Sequence, residues 1–103
     1  MIVRVWRGRA SPSTSSDYPE HFRRRVLPEL KGIAGFLGAS LLRRAQGDAV
    51  EFVVLTRWTS IGAIRAFAGD DVAKAVVEPD AIAALVDFDE TVQHYEVIEE
   101  VVL

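Results

Sequence analysis

Apolar positions along this chain recur in two rhythms, alternating and helical, and their order lays out the elements. The densest stretch is Glu51-Phe-Val-Val-Leu-Thr-Arg-Trp-Thr-Ser60. Between Phe52 and Trp58 most side chains are large, β-branched or aromatic, as in a strand covered on both faces. Thr59-Ser60 then supplies an N-cap, and Ile61, Ile64, Phe67 and Ala68 follow at helical spacing. Upstream, Ile2 to Arg9 reads as a first strand, with Val3 and Val5 in phase with Arg7, and Ile2 and Trp6 in phase with Arg4. Ser11 to Ser16 is a polar loop, and Asp17 with Glu20 is an expected capping box. Tyr18, Phe22, Val26 and Leu30 fall on one helical face, where Pro28 should kink or end the helix. Phe36 to Gln46 makes a second strand, and Gly47-Asp48 a tight hairpin into the third.

Beyond the second helix the signals weaken. Gly69 is a C-cap, and Asp70 or Asp71 should start a short helix through Val77. Glu78-Pro79-Asp80 should break it, with another helical turn over Ile82 to Val86. Asp87 to Glu90 reads as a loop and Thr91 to Val102 as the last strand. The order β-α-β-β-α-β predicts an α+β fold, a ferredoxin-like four-stranded antiparallel sheet with helices on one face. The first strand then lies between the third and the fourth, and residues 1–103 form one domain. Val53 and Leu55 point to one side of the third strand, and Phe52, Val54 and Trp58 to the other. No element remains to cover the second side. A second copy is the simplest cover, so a homodimer through the sheet faces is expected.

Composition removes several alternatives. The net charge of -3 argues against nucleic acid as a main partner, and Arg23-Arg24-Arg25 reads as a solvated helix face. The absence of cysteine excludes disulfides and thiolate chemistry. No apolar run approaches the ~20 residues that span a bilayer, and the charged N-terminal stretch is no signal peptide, so a cytoplasmic location is expected and no membrane partner. Asp87, Asp89 and Glu90 lack the spacing of a calcium loop, and no metal is expected.

Candidate chemistry depends on strand phase. With the first and third strands taken as parallel, Trp6 and Trp58 reach one end of the sheet, and His94 on the last strand arrives there too. These three would form an aromatic pocket with one titratable group, suited to a flat organic ligand. The opposite phase gathers Arg7, Arg57 and Tyr95 instead, and both phases contain apolar neighbours. Two core tryptophans and a satisfied histidine are the competing account. His21, between Glu20 and Phe22, reads as a surface residue, the alternative being an approach to the same pocket.

Four stretches carry a resemblance. They are Ile2-Val-Arg-Val-Trp-Arg-Gly-Arg9, the exit Leu27-Pro28 … Gly35-Phe36, the entry Trp58-Thr59-Ser60 … Ala63-Ile64 … Phe67, and His94-Tyr95-Glu96-Val97. Their order and spacing resemble the antibiotic-biosynthesis-monooxygenase family, which implies a dimeric α+β barrel built from ferredoxin-like halves. The family includes cofactor-independent oxygenases of polycyclic aromatics and haem-degrading enzymes. Trp58 matches the tryptophan of the polyketide oxygenases, whereas their asparagine has no counterpart, since the chain contains no Asn. The haem-degrading branch needs an Asn on the first strand, where Arg7 or a neighbour stands, and a His where Val76 or a neighbour stands. The family's frequent helix histidine appears as Phe67. The resemblance thus points away from haem degradation. It implies a monooxygenase needing no cofactor that binds a small aromatic or polyketide-like compound. His94 would be the general base and Arg57 or Arg7 the anion stabiliser; Trp6, Trp58, Phe22 and Phe67 would be substrate contacts. The alternative is a non-catalytic dimer that holds a hydrophobic ligand or none.

Overall fold

The sheet is built outward from β1 (Ile2–Ala10) in the computed structural model, which describes all 103 residues. The hairpin of β2 (Phe36–Gln46) and β3 (Ala49–Trp58) gives the order β2-β3-β1, and β4 (Asp87–Phe88) and β5 (Gln93–Glu96) share the far side of β1. Every pairing is antiparallel. This corrects the expectation that the first and third strands run parallel. The helical crossover makes β1 parallel to β2, and the Gly47-Asp48 hairpin then reverses β3 against both. In the resulting register Ile2 faces Trp58, Arg4 faces Thr56 and Trp6 faces Val54. Across the other side, Arg4 faces His94 and Val3 faces Tyr95.

Register settles the phase that the sequence left open. Arg4, Trp6, Thr56, Trp58 and His94 all project toward the helices, because opposed residues of an antiparallel pair share a face. Arg7, Arg57 and Tyr95 project to the other side. On β3 the alternation is clear: Phe52, Val54, Thr56 and Trp58 are buried, whereas Val53, Leu55 and Arg57 are half-buried.

The first helical rod joins α1 (Asp17–His21), a π-helical turn (Phe22–Val26) and α2 (Leu27–Lys31). Its buried face carries Tyr18, Phe22 and Leu30 as the periodicity requires. Pro28 does not end it. An α-helical ladder would bring the proline ring against the carbonyl four residues back. The preceding π turn shifts the ladder by one residue, so that Leu27 N–H donates to Phe22 O. The expected Asp17 cap is absent, and Glu20 instead pairs with Arg24 at 2.6 Å. At α3 (Ile61–Ala68) the cap is made, with Ser60 Oγ accepting from Ala63 N–H at 3.1 Å.

The last third departs most from expectation. Residues 70–77 form no helix; Ala75 N–H donates to Glu90 O, and Val92 N–H to Ala73 O, each at 2.8 Å. The β-branched pair Val76-Val77 and the extended backbone forced on Glu78 before Pro79 both disfavour a helix there. Pro79 opens α4 (Pro79–Ala84) rather than breaking an element, which is where a missing N–H costs least. Asp87-Phe88 is a short strand, not a loop, paired with Arg9 and Gly8. The final strand ends at Glu96, and Val97 N–H donates to Met1 O at 2.9 Å. Ile98, Val101, Val102 and Leu103 are exposed.

Between sheet and helices lie two apolar clusters. One gathers Trp6, Tyr18, Phe22, Phe52 and Val54 with Ala81 and Ala84 of α4; the other is Leu30, Trp58 and Ile64. No helix is long and apolar enough to cross a membrane.

Candidate functional site

A cleft opens between the two clusters. Its floor is β1 and β3, through Arg4, Trp6, Val54 and Thr56, and its walls come from the first helical rod, α3 and the segment 76–81. The enclosed space is about 50 Å³, and the cleft with its mouth toward solvent about 550 Å³. Most of the lining is apolar. The polar exceptions therefore define what it can do.

Arg4 is the first exception. It is 5% exposed and forms no ion pair. Its guanidinium donates to Val72 O at 2.6 Å and Lys74 O at 3.0 Å, and lies 5.9 Å from the centre of the Phe67 ring. Nη1 also stands 3.0 Å from His94 Nε2. A guanidinium only donates, so His94 Nε2 is the acceptor and the ring is the neutral Nδ1–H tautomer. Burial lowers the Arg4 pKa to about 10, and burial together with the Arg4 charge lowers that of His94. A cation buried without a carboxylate is expensive and persists only where geometry imposes it. Here it is the one full positive charge facing the cleft.

His21 is the second exception, and it corrects the expected surface position. It is 8% exposed, its Nε2 is enclosed with no hydrogen-bond partner, and its ring lies 6.0 Å from that of Tyr18. An orphaned nitrogen of this kind costs on the order of 1–3 kcal/mol. Tyr18 is held in its protonated form, first by burial and then by the nearby charge of Glu78. Its ring packs 5.5 Å from both Trp6 and Phe52, which extends an aromatic wall from the cleft into the core.

The expected site residues are distributed unevenly around this cleft. Trp6 lines it, and its Nε1–H donates to Asp89 O at 2.8 Å. The ring lies over Gly8, where an added Cβ would stand 2.7 Å from Trp6 Cη2, so only glycine lets the indole lie flat. Phe67 also lines the cleft. Phe22 is packed in the core behind it. Trp58 belongs to the other cluster, stacked on Phe67 at 6.1 Å with its Nε1–H donating to Thr56 Oγ1 at 2.8 Å. Trp6 and Trp58 do not meet at one end, because antiparallel pairing sets them four positions apart along β1 and β3. His94 stands behind Arg4 with its lone pair engaged. Arg57 lies on the opposite sheet face and donates to Ser40 Oγ at 3.1 Å. Asp87 and Asp89 clamp Arg9, Asp89 at 2.9 Å, and no group of residues suited to holding a metal ion is present.

Arg4, His21 and Tyr18 are the groups that the sequence reading did not assign to the site. Two of the three had a signal. Arg4 shares the phase of Trp6, and His21 follows Tyr18 by three positions on the buried helical face.

The architecture recurs in proteins of related description. A Bacillus cereus protein described as an antibiotic biosynthesis monooxygenase is 19% identical, with 99% of this chain and 97% of that one covered and a TM-score of 0.68. The heme-degrader MhuD of Mycobacterium tuberculosis, solved with two hemes in its active site, is 24% identical, with 98% and 99% covered and a TM-score of 0.65. The monooxygenase ActVA-Orf6 of Streptomyces coelicolor, solved with nanaomycin D, is 21% identical, with 99% and 90% covered and a TM-score of 0.60. No curated protein matches the chain. The family model for antibiotic biosynthesis monooxygenases matches residues 1–79, which include β1, the first helical rod, the β2–β3 hairpin and α3. The chain belongs to the antibiotic biosynthesis monooxygenase family.

Proposed function

We propose that the chain, acting as one cytoplasmic domain over residues 1–103, is a cofactor-independent monooxygenase that takes a small aromatic or polyketide-like compound into the cleft between sheet and helices. The observation that carries this reading is Arg4, a buried cation without a carboxylate partner, set among Trp6, Tyr18 and Phe67. Flat apolar walls suit an aromatic ring, and the guanidinium suits the oxyanion that such a ring acquires on losing an acidic proton. Arg4 thereby takes the role expected of Arg57 or Arg7, both of which lie on the far face. The resulting carbanion reacts with O₂; a ring CH₂ becomes C=O, one oxygen atom stays on the carbon and the other leaves as water. His94 orients Arg4 by accepting its Nη1–H. Heme degradation is not carried over from MhuD, because a likeness at 24% identity concerns the fold.

The second reading is a ligand-binding protein without turnover, favoured by the small enclosed volume of about 50 Å³. Oxygen uptake with an anthrone separates the two. The oxygenase reading expects uptake above the uncatalysed rate and at least a tenfold loss in Arg4→Met. Saturable quenching of tryptophan fluorescence by the anthrone with no uptake would leave the binding reading alone.

The assembly in this reading is a homodimer through the open sheet face. That face carries Val53 and Leu55, with Leu42 and Tyr95 exposed beside them, and Ile98, Val101, Val102 and Leu103 of the tail are exposed as well. A second copy would bury more than ~1,200 Å². Light scattering should give twice the chain mass at micromolar concentration, and a monomer there would sink the dimer.

A further inference from the structure

We propose that His21 is the proton acceptor of the cleft, taking the proton of an acidic hydroxyl or C–H and releasing it to solvent on the other side of α1. The proposal rests on the reading that the cleft takes an ionisable aromatic compound, and it adds the group that ionises it.

Position carries the argument. His21 lines the inner cleft, and it also lines a separate polar groove on the outside of α1. One imidazole therefore separates the ligand space from solvent. The ring is more than nine-tenths buried, and its Nε2 has no hydrogen-bond partner. It stands at the end of α1, where the ladder changes from α to π spacing at Phe22, and such turns recur at functional sites.

Every other titratable group facing the cleft is a poorer acceptor. Arg4 only donates. Tyr18 is kept protonated by burial and by Glu78. His94 does not line the cleft, and its Nε2 already accepts from Arg4. Glu78 does line it, but a carboxylate is a weak base toward a phenol or an activated C–H, whereas an imidazole is matched to that task near neutral pH. On the groove side His21 faces Asp17 and Glu20 of α1, Arg24 and Arg25 of the π turn, and Asp80 of α4. These are three carboxylates and two guanidinium groups, and Glu20 is already bound to Arg24.

The step balances simply. The ligand O–H or C–H bond breaks, its electron pair stays on the ligand as an anion beside Arg4, and a new N–H bond forms on His21. One neutral pair becomes one ion pair inside the cleft. The proton stays on His21 while the anion occupies the cleft and leaves through the outer groove once the ligand has departed, restoring the neutral ring.

Alizarin is a suitable probe, because its visible spectrum reports its own ionisation. Bound to the wild-type protein, its phenol should ionise at least one pH unit below its value in water, a tenfold shift. His21→Gln should bind alizarin but lose most of that shift, and Glu78→Gln should keep it. The chain has two histidines, so the imidazole ¹⁵N signals that persist in His94→Gln are those of His21 and can then be followed in the wild-type protein, with no change at His21 itself. His21 should become doubly protonated as alizarin ionises. An unprotonated His21 beside an ionised ligand, or loss of the shift in Glu78→Gln alone, would overturn the proposal. If alizarin and related hydroxyquinones do not bind the wild-type protein at all, the ligand reading itself fails, and the role of His21 falls with it.

Discussion

The two tryptophans sit on the same sheet face and live in different surroundings. Trp58 is fully buried with Leu30 and Ile64, and its indole N–H is satisfied by Thr56, two residues back on its own strand. Trp6 stands about 13 Å along the sheet, four residues at the usual strand rise. It borders the cleft, its N–H reaches Asp89 O across the chain, and the same cleft holds a lone buried guanidinium and an orphaned imidazole nitrogen. One end of the layer is packed for stability. The other retains polar groups that weaken the fold, which is where function is expected to reside.

The sharpest way to break this contrast is to truncate each indole. Trp58→Ala removes a side chain enclosed on all sides and should cost on the order of 3–5 kcal/mol. Denaturant unfolding of the variant measures it, and a loss below about 1 kcal/mol would contradict a sealed cluster. Trp6→Ala should cost less, about 2 kcal/mol, because one side of the ring already borders open space and forfeits fewer contacts. Its main effect should be on the ligand, with aromatic probes bound at least tenfold more weakly. Equal stability losses for the two variants would mean that the cleft is ordinary core.

The unequal ends were unequally legible. Three β-strands, the hairpin at Gly47, the Ser60 cap and the buried face of the first helix follow from local pattern, and the structure keeps them within a residue or two. The site depended on pairing direction, which no local pattern states. Once β3 is reversed against β1, Trp58 moves away from Trp6, while the register of β5 against β1 sets His94 opposite Arg4. The sequence offered Arg4 only as a charge interrupting an apolar phase, and which phase of the central strand meets the helices is set by register. His21 reads as exposed because its neighbours Glu20 and Arg23 are charged, although helical periodicity places it beside Tyr18. The segment 70–77 misled for a different reason. Its two aspartates look like a helix start, yet the backbone is taken by residues 90–92 and by the Arg4 side chain.

The smallest expected effect tests the one contact that joins Arg4 to the last strand. His94 has its pKa lowered by burial and by the Arg4 charge, so the folded protein binds a proton there less readily than the unfolded chain does. Above the unfolded value, roughly 6.5, both states carry a neutral ring and His94 contributes nothing to the pH dependence. As pH falls through that value, the unfolded chain takes up a proton that the folded one refuses, and stability drops until the lower folded pKa is passed. His94→Gln cannot titrate, and its amide oxygen can still accept from Arg4. The stability of the wild-type protein relative to this variant should therefore be flat from pH 8 to 7 and decline toward pH 5. Carboxylates titrating in that range act equally on both proteins and cancel in the difference. A difference that stays constant down to pH 5 would mean that Arg4 does not hold His94 neutral; one that grows in favour of the wild type at low pH would require an anion beside the ring, which the Arg4 contact does not supply.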